Sequence, residues 1–271
     1  MSRRTCLTIA LLALVSLSAS RVLSQGNVSA SQEQTSTELS KVKGQAENGD
    51  AIAEFTLGYV YEQGRGVPQD YRKAVEFYRA AAKHGHATAE NNLGSMYLHG
   101  RGVSKNLREA IVWYRASAEH GDPAGQCNLA SMYFSGRGVP QDYRLAARWL
   151  RAAAEKGLPA AQNNLAFMYY SGTGVSQNYS EAAKWTRRAA EQGYALAETD
   201  LGYLYEQGKG VPLDYITAYM WYSIAAREGD SRSLERMKSL SRLMVSKQLT
   251  EAEIRANAWT PRAKTRSLDR Q

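Results

Sequence analysis

The octet GRGVPQDY stands at residues 64–71 and again, letter for letter, at 136–143. A shift of 36 residues finds three variants of it: GRGVSKNL at 100–107, GTGVSQNY at 172–179 and GKGVPLDY at 208–215. Further columns keep the same step. Leu57, Leu93, Leu129, Leu165 and Leu201 form one, and Tyr61, Tyr97, Tyr133, Tyr169 and Tyr205 another. Ala74, Ala110, Ala146, Ala182 and Ala218 form a third, the bulky Phe77, Trp113, Trp149, Trp185 and Trp221 a fourth, and Gly85, Gly121, Gly157, Gly193 and Gly229 a fifth. Five units therefore run from about 50 to 229. A unit this short cannot bury its own apolar face, so a fixed period of this length demands a stack in which each unit covers the next.

Each unit spells two helices. Ala53, Leu57 and Tyr61 recur at i, i+4 and i+8, one face of a helix. Beside Leu57 stands Gly58, and its column, Gly94, Ala130, Ala166 and Gly202, admits only small side chains. Glycine inside a helix costs about 1 kcal/mol relative to alanine, so a close neighbour is expected to compensate. In the second helix Ala74, Phe77 and Ala81 make an apolar stripe, and the large ring of the Phe77 column is expected to fill the notch. Asp70, Asn106, Asp142, Asn178 and Asp214 precede that helix as N-caps, and the Gly85 column ends it in left-handed conformation. Pro123 and Pro159 fall at the start of a first helix, where a missing N–H is harmless. No run alternates with period two, so no strand is expected. The fold class is all-α: an α/α solenoid, or superhelix, of about five 36-residue helix-turn-helix repeats with capping helices.

The pattern A-x3-L-G-x2-Y-x2-G-x-G-V, then D/N-Y-x2-A-x2-W/F, then A-x3-G, resembles the Sel-1-like repeat, a relative of the tetratricopeptide repeat. The resemblance implies an α-solenoid that binds other proteins and serves as scaffold or adaptor, without naming the partner.

The flanks read differently. Residues 1–24 open with Arg3 and Arg4, continue with the apolar run CLTIALLALV and end in small residues, with cleavage expected after Ser20 or Ser24. That is an export signal, with a membrane anchor as the competing reading, and it places the mature chain in the periplasm or outside the cell. Residues 25–34 form a flexible linker, 35–49 an N-terminal capping helix opened by the T-x-x-E box Thr35–Glu38, and 50–229 the repeats. The C-terminal capping helices fill 230–259, one over 231–245 with Leu234, Met237, Leu240 or Ser241, and Met244 on its face, and a shorter one opened by a second T-x-x-E box at Thr250. Residues 260–271 form a disordered basic tail. The formal charge of +8 resides in these ends: 1–24 contributes +3 and 231–271 contributes +6, leaving −1 for the body. The basic balance therefore gives no support to a nucleic-acid-binding face, and no other run is apolar enough for a membrane span. A monomer is expected.

Candidate chemistry is sparse. A phosphate-binding loop needs amides converging on a free helix N-terminus, usually after a strand. Here no strand precedes the glycines, a cap residue already occupies the helix start, and the residue between them drifts through Arg65, Arg101, Arg137, Thr173 and Lys209. His84 and His120 stand beside helix-ending glycines, where the dipole favours them. With His86 and His99 they show no metal-ligand spacing. Cys127 reads as a lone, partly buried thiol, and no G-x-S-x-G elbow occurs. No catalytic residue, cofactor or metal is expected.

One column suits recognition. The residues before the periodic leucines are Thr56, Asn92, Asn128, Asn164 and Asp200. In tetratricopeptide relatives the matching position faces the concave side, where an Asn amide can donate to and accept from the backbone of an extended peptide. The alternative is that these amides are satisfied within the scaffold. The neighbouring column, Tyr59, Ser95, Ser131, Phe167 and Tyr203, varies as a partner-specific surface would. The expected function is a non-catalytic protein-binding scaffold or adaptor of the cell envelope. Two alternatives remain: a periplasmic regulator that inhibits a sensor kinase or cell-wall enzyme, and a cell-wall or β-lactam hydrolase. The hydrolase is disfavoured because the relatives credited with such activity carry paired cysteines in each repeat.

Overall fold

The computed structural model describes residues 37–261. The expected leader, the linker, Thr35 and all of the basic tail beyond Pro261 lie outside the described residues. Thirteen α-helices and no strand occur among the described residues. They fall into two compact units, Met1–Pro140 and Gln141–Gln271, described separately below.

The first unit holds α1 (37–47), α2 (Ala51–Gln63), α3 (Tyr71–Lys83), α4 (Ala87–His99), α5 (Leu107–Glu119) and α6 (Pro123–Ser135). The second holds α7 (Tyr143–Glu155), α8 (Pro159–Ser171), α9 (Tyr179–Ala190), α10 (Ala195–Gln207), α11 (Tyr215–Arg227), α12 (Ser231–Ser241) and α13 (Ser246–Ala258). In the first unit consecutive helices from α2 to α6 pack as neighbours, and α4 also touches α2 and α6; in the second, consecutive helices from α7 to α12 pack as neighbours and α13 packs on α11. The repeats thus form the all-α solenoid that the period requires.

The caps are where the sequence puts them. Asp70, Asn106, Asp142, Asn178 and Asp214 lie in extended conformation, and each side chain accepts backbone N–H bonds from the helix it opens. Asp50 and Asp122 do the same for α2 and α6, and His86 does so for α4 through Nδ1, 3.2 Å from the Ala89 amide. Pro123 and Pro159 occupy the first turn of α6 and α8. The two loop glycines have separate duties. Gly100, at φ 72°, is the left-handed C-cap of α4. Gly102, at φ 69°, presses against the start of the preceding repeat's second helix, where a Cβ would run into the Tyr71 carbonyl. The loop is a stop and a spacer, as the absence of a free helix terminus implied.

The notch is filled by a different residue from the one expected. The rings against Gly58, Gly94 and Gly202 belong to Tyr78, Tyr114 and Tyr222, one position beyond the Phe77 column, and all three are fully buried. A Cβ on Gly94 would stand 2.7 Å from Tyr114 Cδ1. The second helix turns slightly more of its surface inward than the Ala74–Phe77–Ala81 stripe suggests, so Val75, Tyr78 and Ala82 are buried as well. Phe77 is left half-buried, stacked on Tyr61 at 5.6 Å. Burial pushes the hydroxyls of Tyr78, Tyr114 and Tyr222 well above the ordinary tyrosine range; Tyr78 and Tyr222 donate 2.6 Å bonds to Glu62 and Glu206.

Repeats are also stapled at the rim. Arg79 donates to the Tyr97 hydroxyl at 2.9 Å and Arg115 to Tyr133 at 3.0 Å in the first unit. In the second unit Arg187 donates to Tyr205 at 2.7 Å, and Arg151 to Tyr169.

The ends close the stack with two departures from expectation. In α1, Ala46 is buried, and Leu39 and Val42 pack with Leu57 and Phe77. At the other end α12 stops at Ser241, and Leu234 is exposed while Ser233, Leu240 and Met244 are buried. Helix α13 begins at Ser246, four residues before the expected box: the Val245 amide donates to Gln248 Oε1 at 3.0 Å, and Thr250 lies inside the helix bonded to the Ser246 carbonyl. A Gln at the third helical position performs the back-bonding that the Thr250 box was expected to supply. Trp259 packs edge-on against Trp221 at 5.5 Å.

Candidate functional site

The Asn column is not a row of equivalent side chains. In the first unit Asn92 on α4 is half-buried within reach of the Tyr78 hydroxyl. Asn128 on α6 is buried, and its Nδ2 donates to Asn91 Oδ1 at 2.8 Å. In the second unit Asn164 on α8 is exposed. Asp200 on α10 accepts from Asn163 Nδ2 at 3.3 Å. Thr56, the first member of the column, bonds its own helix at the Ile52 carbonyl. Two of the five therefore tie neighbouring first helices together, each through the residue just before it in the column. The signal missed was that preceding column, Phe55, Asn91, Cys127, Asn163 and Thr199, which supplies a partner 37 residues back only where it carries Asn. Desolvation lifts the Asp200 carboxyl above its usual value, opposed by Asn163 and Arg232. The residue's outer surface is open, yet its carboxyl is part-buried against Asn163, and the shift follows the carboxyl.

The neighbouring column is more accessible. Tyr59, Ser95 and Ser131 in the first unit are half-buried, as is Tyr203 in the second, and Phe167 is 38% exposed. An open cleft of about 530 Å³ lies in the second unit between α10, α11 and α12, lined by Thr199, Asp200, Tyr203, Tyr222, Arg232 and Arg236.

The drifting residue of the glycine loop turns toward these rings. Arg65 lies over Tyr59 at 5.1 Å and Arg101 over Tyr71 at 5.9 Å in the first unit. In the second, Lys209 Nζ sits over Tyr170, Tyr179 and Tyr203 at 4.7, 5.2 and 5.9 Å and bonds the Tyr170 hydroxyl at 2.6 Å. That bond raises the pKa of the Lys209 ammonium. Burial alone would push Tyr170 upward, but the ammonium outweighs it and holds the phenol below its ordinary value. Arg236 covers Tyr203 at 5.3 Å. Sequence reasoning treated this loop position as free to vary. The signal available was that four of its five occupants are cationic.

The histidines also have partners that spacing within a helix does not show. His120 Nδ1 meets both carboxylate oxygens of Glu90 at 2.8 and 3.0 Å, and His84 lies 3.9 Å from Glu54. Glu54, Glu90, Gln126, Gln162 and Glu198 form a buried column, and the partner stands 30 residues on, as when Gln192 donates to Gln162 at 2.8 Å. Among the described residues no group of three or more His, Cys, Asp and Glu is placed to hold a metal ion, and no helix is long and apolar enough to cross a membrane. Cys127 is fully buried and disulfide-bonded rather than a lone, partly buried thiol; the other cysteine of the chain, Cys6, lies outside the described residues.

The model of the Sel1 repeat matches five times in succession, at 51–86, 87–122, 123–158, 159–194 and 195–230. The chain belongs to the Sel1 repeat family. Sel1 repeats mediate protein–protein interaction and generally serve as scaffolds. Solved structures that share the fold include two Sel1 repeat proteins at least 33% identical to this chain. One is a protective antigen present in uropathogenic Escherichia coli strains, displaying an SLR fold, with 36% identity and a TM-score of 0.75 over 85% of this chain. This chain spans 50% of that relative's length. The other is a Sel1 repeat protein from Oxalobacter formigenes, with 33% identity and a TM-score of 0.68, covering 80% of this chain and 89% of that one. No curated protein matches.

Proposed function

We propose that this Sel1 repeat protein is exported and acts in the cell envelope as a non-catalytic scaffold or adaptor that binds a partner protein or extended peptide on its first-helix face. One observation carries the reading. The packing of the repeats uses the Leu57, Gly58 and Ala53 columns, whereas Asn92, Ser95, Ser131, Asn164, Phe167 and Tyr203 on the same helices remain exposed or half-exposed and differ from repeat to repeat. Within each unit, a surface held by a repeated scaffold yet chemically distinct at each step is suited to an extended ligand. Export rests on the basic start, the short apolar run and the small residues of 1–24. The test is capture from envelope extract with the wild-type chain and with an Asn92→Ala, Asn164→Ala, Phe167→Ala variant. The reading requires a saturable partner that the variant loses while it keeps its helical circular dichroism; equal capture by both would refute it.

A further inference from the structure

Lys209 is a cation with an unusual set of neighbours. Its charge rests on three tyrosine rings and one phenol oxygen, and no ion pair joins it to a carboxylate among the described residues. Acids of the neighbouring helices have other partners: Glu206 takes the Tyr222 hydroxyl and Arg236, Asp200 takes Asn163, and Glu235 takes Lys238. Lys209 is half-buried over these rings; one of them, Tyr203, lines the cleft, and Arg236 covers that ring as well. A flexible lysine loses considerable rotamer freedom when held in one place. Here the rings hold it without neutralising it, which leaves a preorganised, partly exposed donor.

The first unit repeats the device independently. Arg65 lies over Tyr59 and Arg101 over Tyr71, again with no ion pair among the described residues. The two arginines are one repeat apart and occupy the same loop position as Lys209. A partner cation approaching either unit would meet like charge directly over the ring it could otherwise use. A partner carboxylate would find a donor already in position and would pair with it without displacing a carboxylate of this chain.

We propose that the cations between the loop glycines, Lys209 in the second unit foremost and, separately, Arg65 and Arg101 in the first, are carboxylate-recognition side chains, so that the partner presents an extended acidic peptide segment to a unit. The proposal rests on the protein-binding reading above and names the chemistry of its ligand. Its test uses the full chain and three labelled nonapeptides alternating Ser with Glu, Gln or Lys, followed by fluorescence anisotropy at low salt. The Glu peptide should bind, the Gln and Lys peptides about tenfold more weakly or not at all, as expected when charge-assisted hydrogen bonds are lost. Lys209→Met should weaken the Glu peptide by a similar factor with unchanged helical circular dichroism, and Lys209→Arg should restore it. Equal binding of the Glu and Gln peptides, no binding by any of the three, or indifference to Lys209→Met would each overturn the proposal. Capture of a partner that still depends on Asn92, Asn164 and Phe167 would then leave the protein-binding reading standing, whereas loss of both would remove it too.

Discussion

The contact between Gly94 and Tyr114 decides whether the repeats are held by a shape match or by generic apolar burial. In Gly94→Ala the new Cβ would stand 2.7 and 2.8 Å from two carbons of the Tyr114 ring and 3.2 Å from the Ala110 carbonyl oxygen. The ring cannot swing away, because Tyr114 is only 2% exposed, and the carbonyl is backbone. Overpacking of this kind costs about 1–3 kcal/mol. The same change gains about 1 kcal/mol of helix propensity, so the net is a loss of up to about 2 kcal/mol. The third repeat suggests the remedy, since the sequence there has Ala130 and Leu150 at the corresponding positions. Tyr114→Leu alone should cost about 2–4 kcal/mol for the cavity beside glycine. In Gly94→Ala/Tyr114→Leu the alanine methyl enters that cavity, so the double variant should be more stable than the sum of the singles by about 1 kcal/mol or more. Urea unfolding read by circular dichroism gives the cycle, with amide hydrogen exchange of α4 and α5 as the local readout because repeat arrays can unfold in stages. A Gly94→Ala variant more stable than wild type by the full propensity gain, with an additive cycle, would refute the shape match.

Asp230 caps α12 and also binds Arg232 and Thr199. The Arg232 bond, with Thr199 and two amides, holds its carboxyl at about 2, against about 3.9 in the unfolded chain, so its stabilisation is present above pH 4 and disappears as pH falls from about 4 to about 2. Asp230→Ala should lose about 1 kcal/mol at pH 7 and show a flatter acid limb in thermal melts. His120→Ala strands the buried Glu90 carboxylate and should cost about 1–3 kcal/mol, whereas Glu90→Gln/His120→Gln copies the Gln162–Gln192 pair and should recover most of it in chemical denaturation. If export removes 1–24, the mature chain keeps Cys127 alone, and thiol titration should find one group per chain only after denaturation, since the side chain is fully buried. No thiol in the denatured, unreduced exported protein, with mass spectrometry finding Cys6 in the disulfide of Cys127, would refute the cleavage.

Much of the scaffold is legible in the chain because its determinants are local and repeated five times. A cap such as Asp70, or a left-handed glycine such as Gly85, acts within a few residues, and the period averages out accident. Contacts between helices are less legible. The shift from Phe77 to Tyr78 in the notch depends on a small rotation of α3 that a three-to-four spacing cannot resolve. The start of α13 moved because Gln248 can back-bond Val245, where Thr250 was the stronger local signal. The candidate site was half visible. The exposed Asn164 and Phe167 follow from their columns, but the Asn91–Asn128 bond joins different columns in adjacent repeats, and the seats of Arg65 and Lys209 depend on where loops fold back across rings.

The central claim is that the first-helix face binds a protein partner. The most direct measurement is titration calorimetry of the partner captured from envelope extract against the wild-type chain and against Asn92→Ala/Asn164→Ala/Phe167→Ala, with Asn128 left intact because it is bonded to Asn91. The account predicts saturable binding to the wild type, at least about tenfold weaker binding to the variant, as for removal of one or more anchor side chains, and unchanged helical circular dichroism in the variant at the temperature of the titration. Undiminished affinity of the variant, or a wild type that turns over peptidoglycan or a β-lactam with no saturable protein partner, would contradict it.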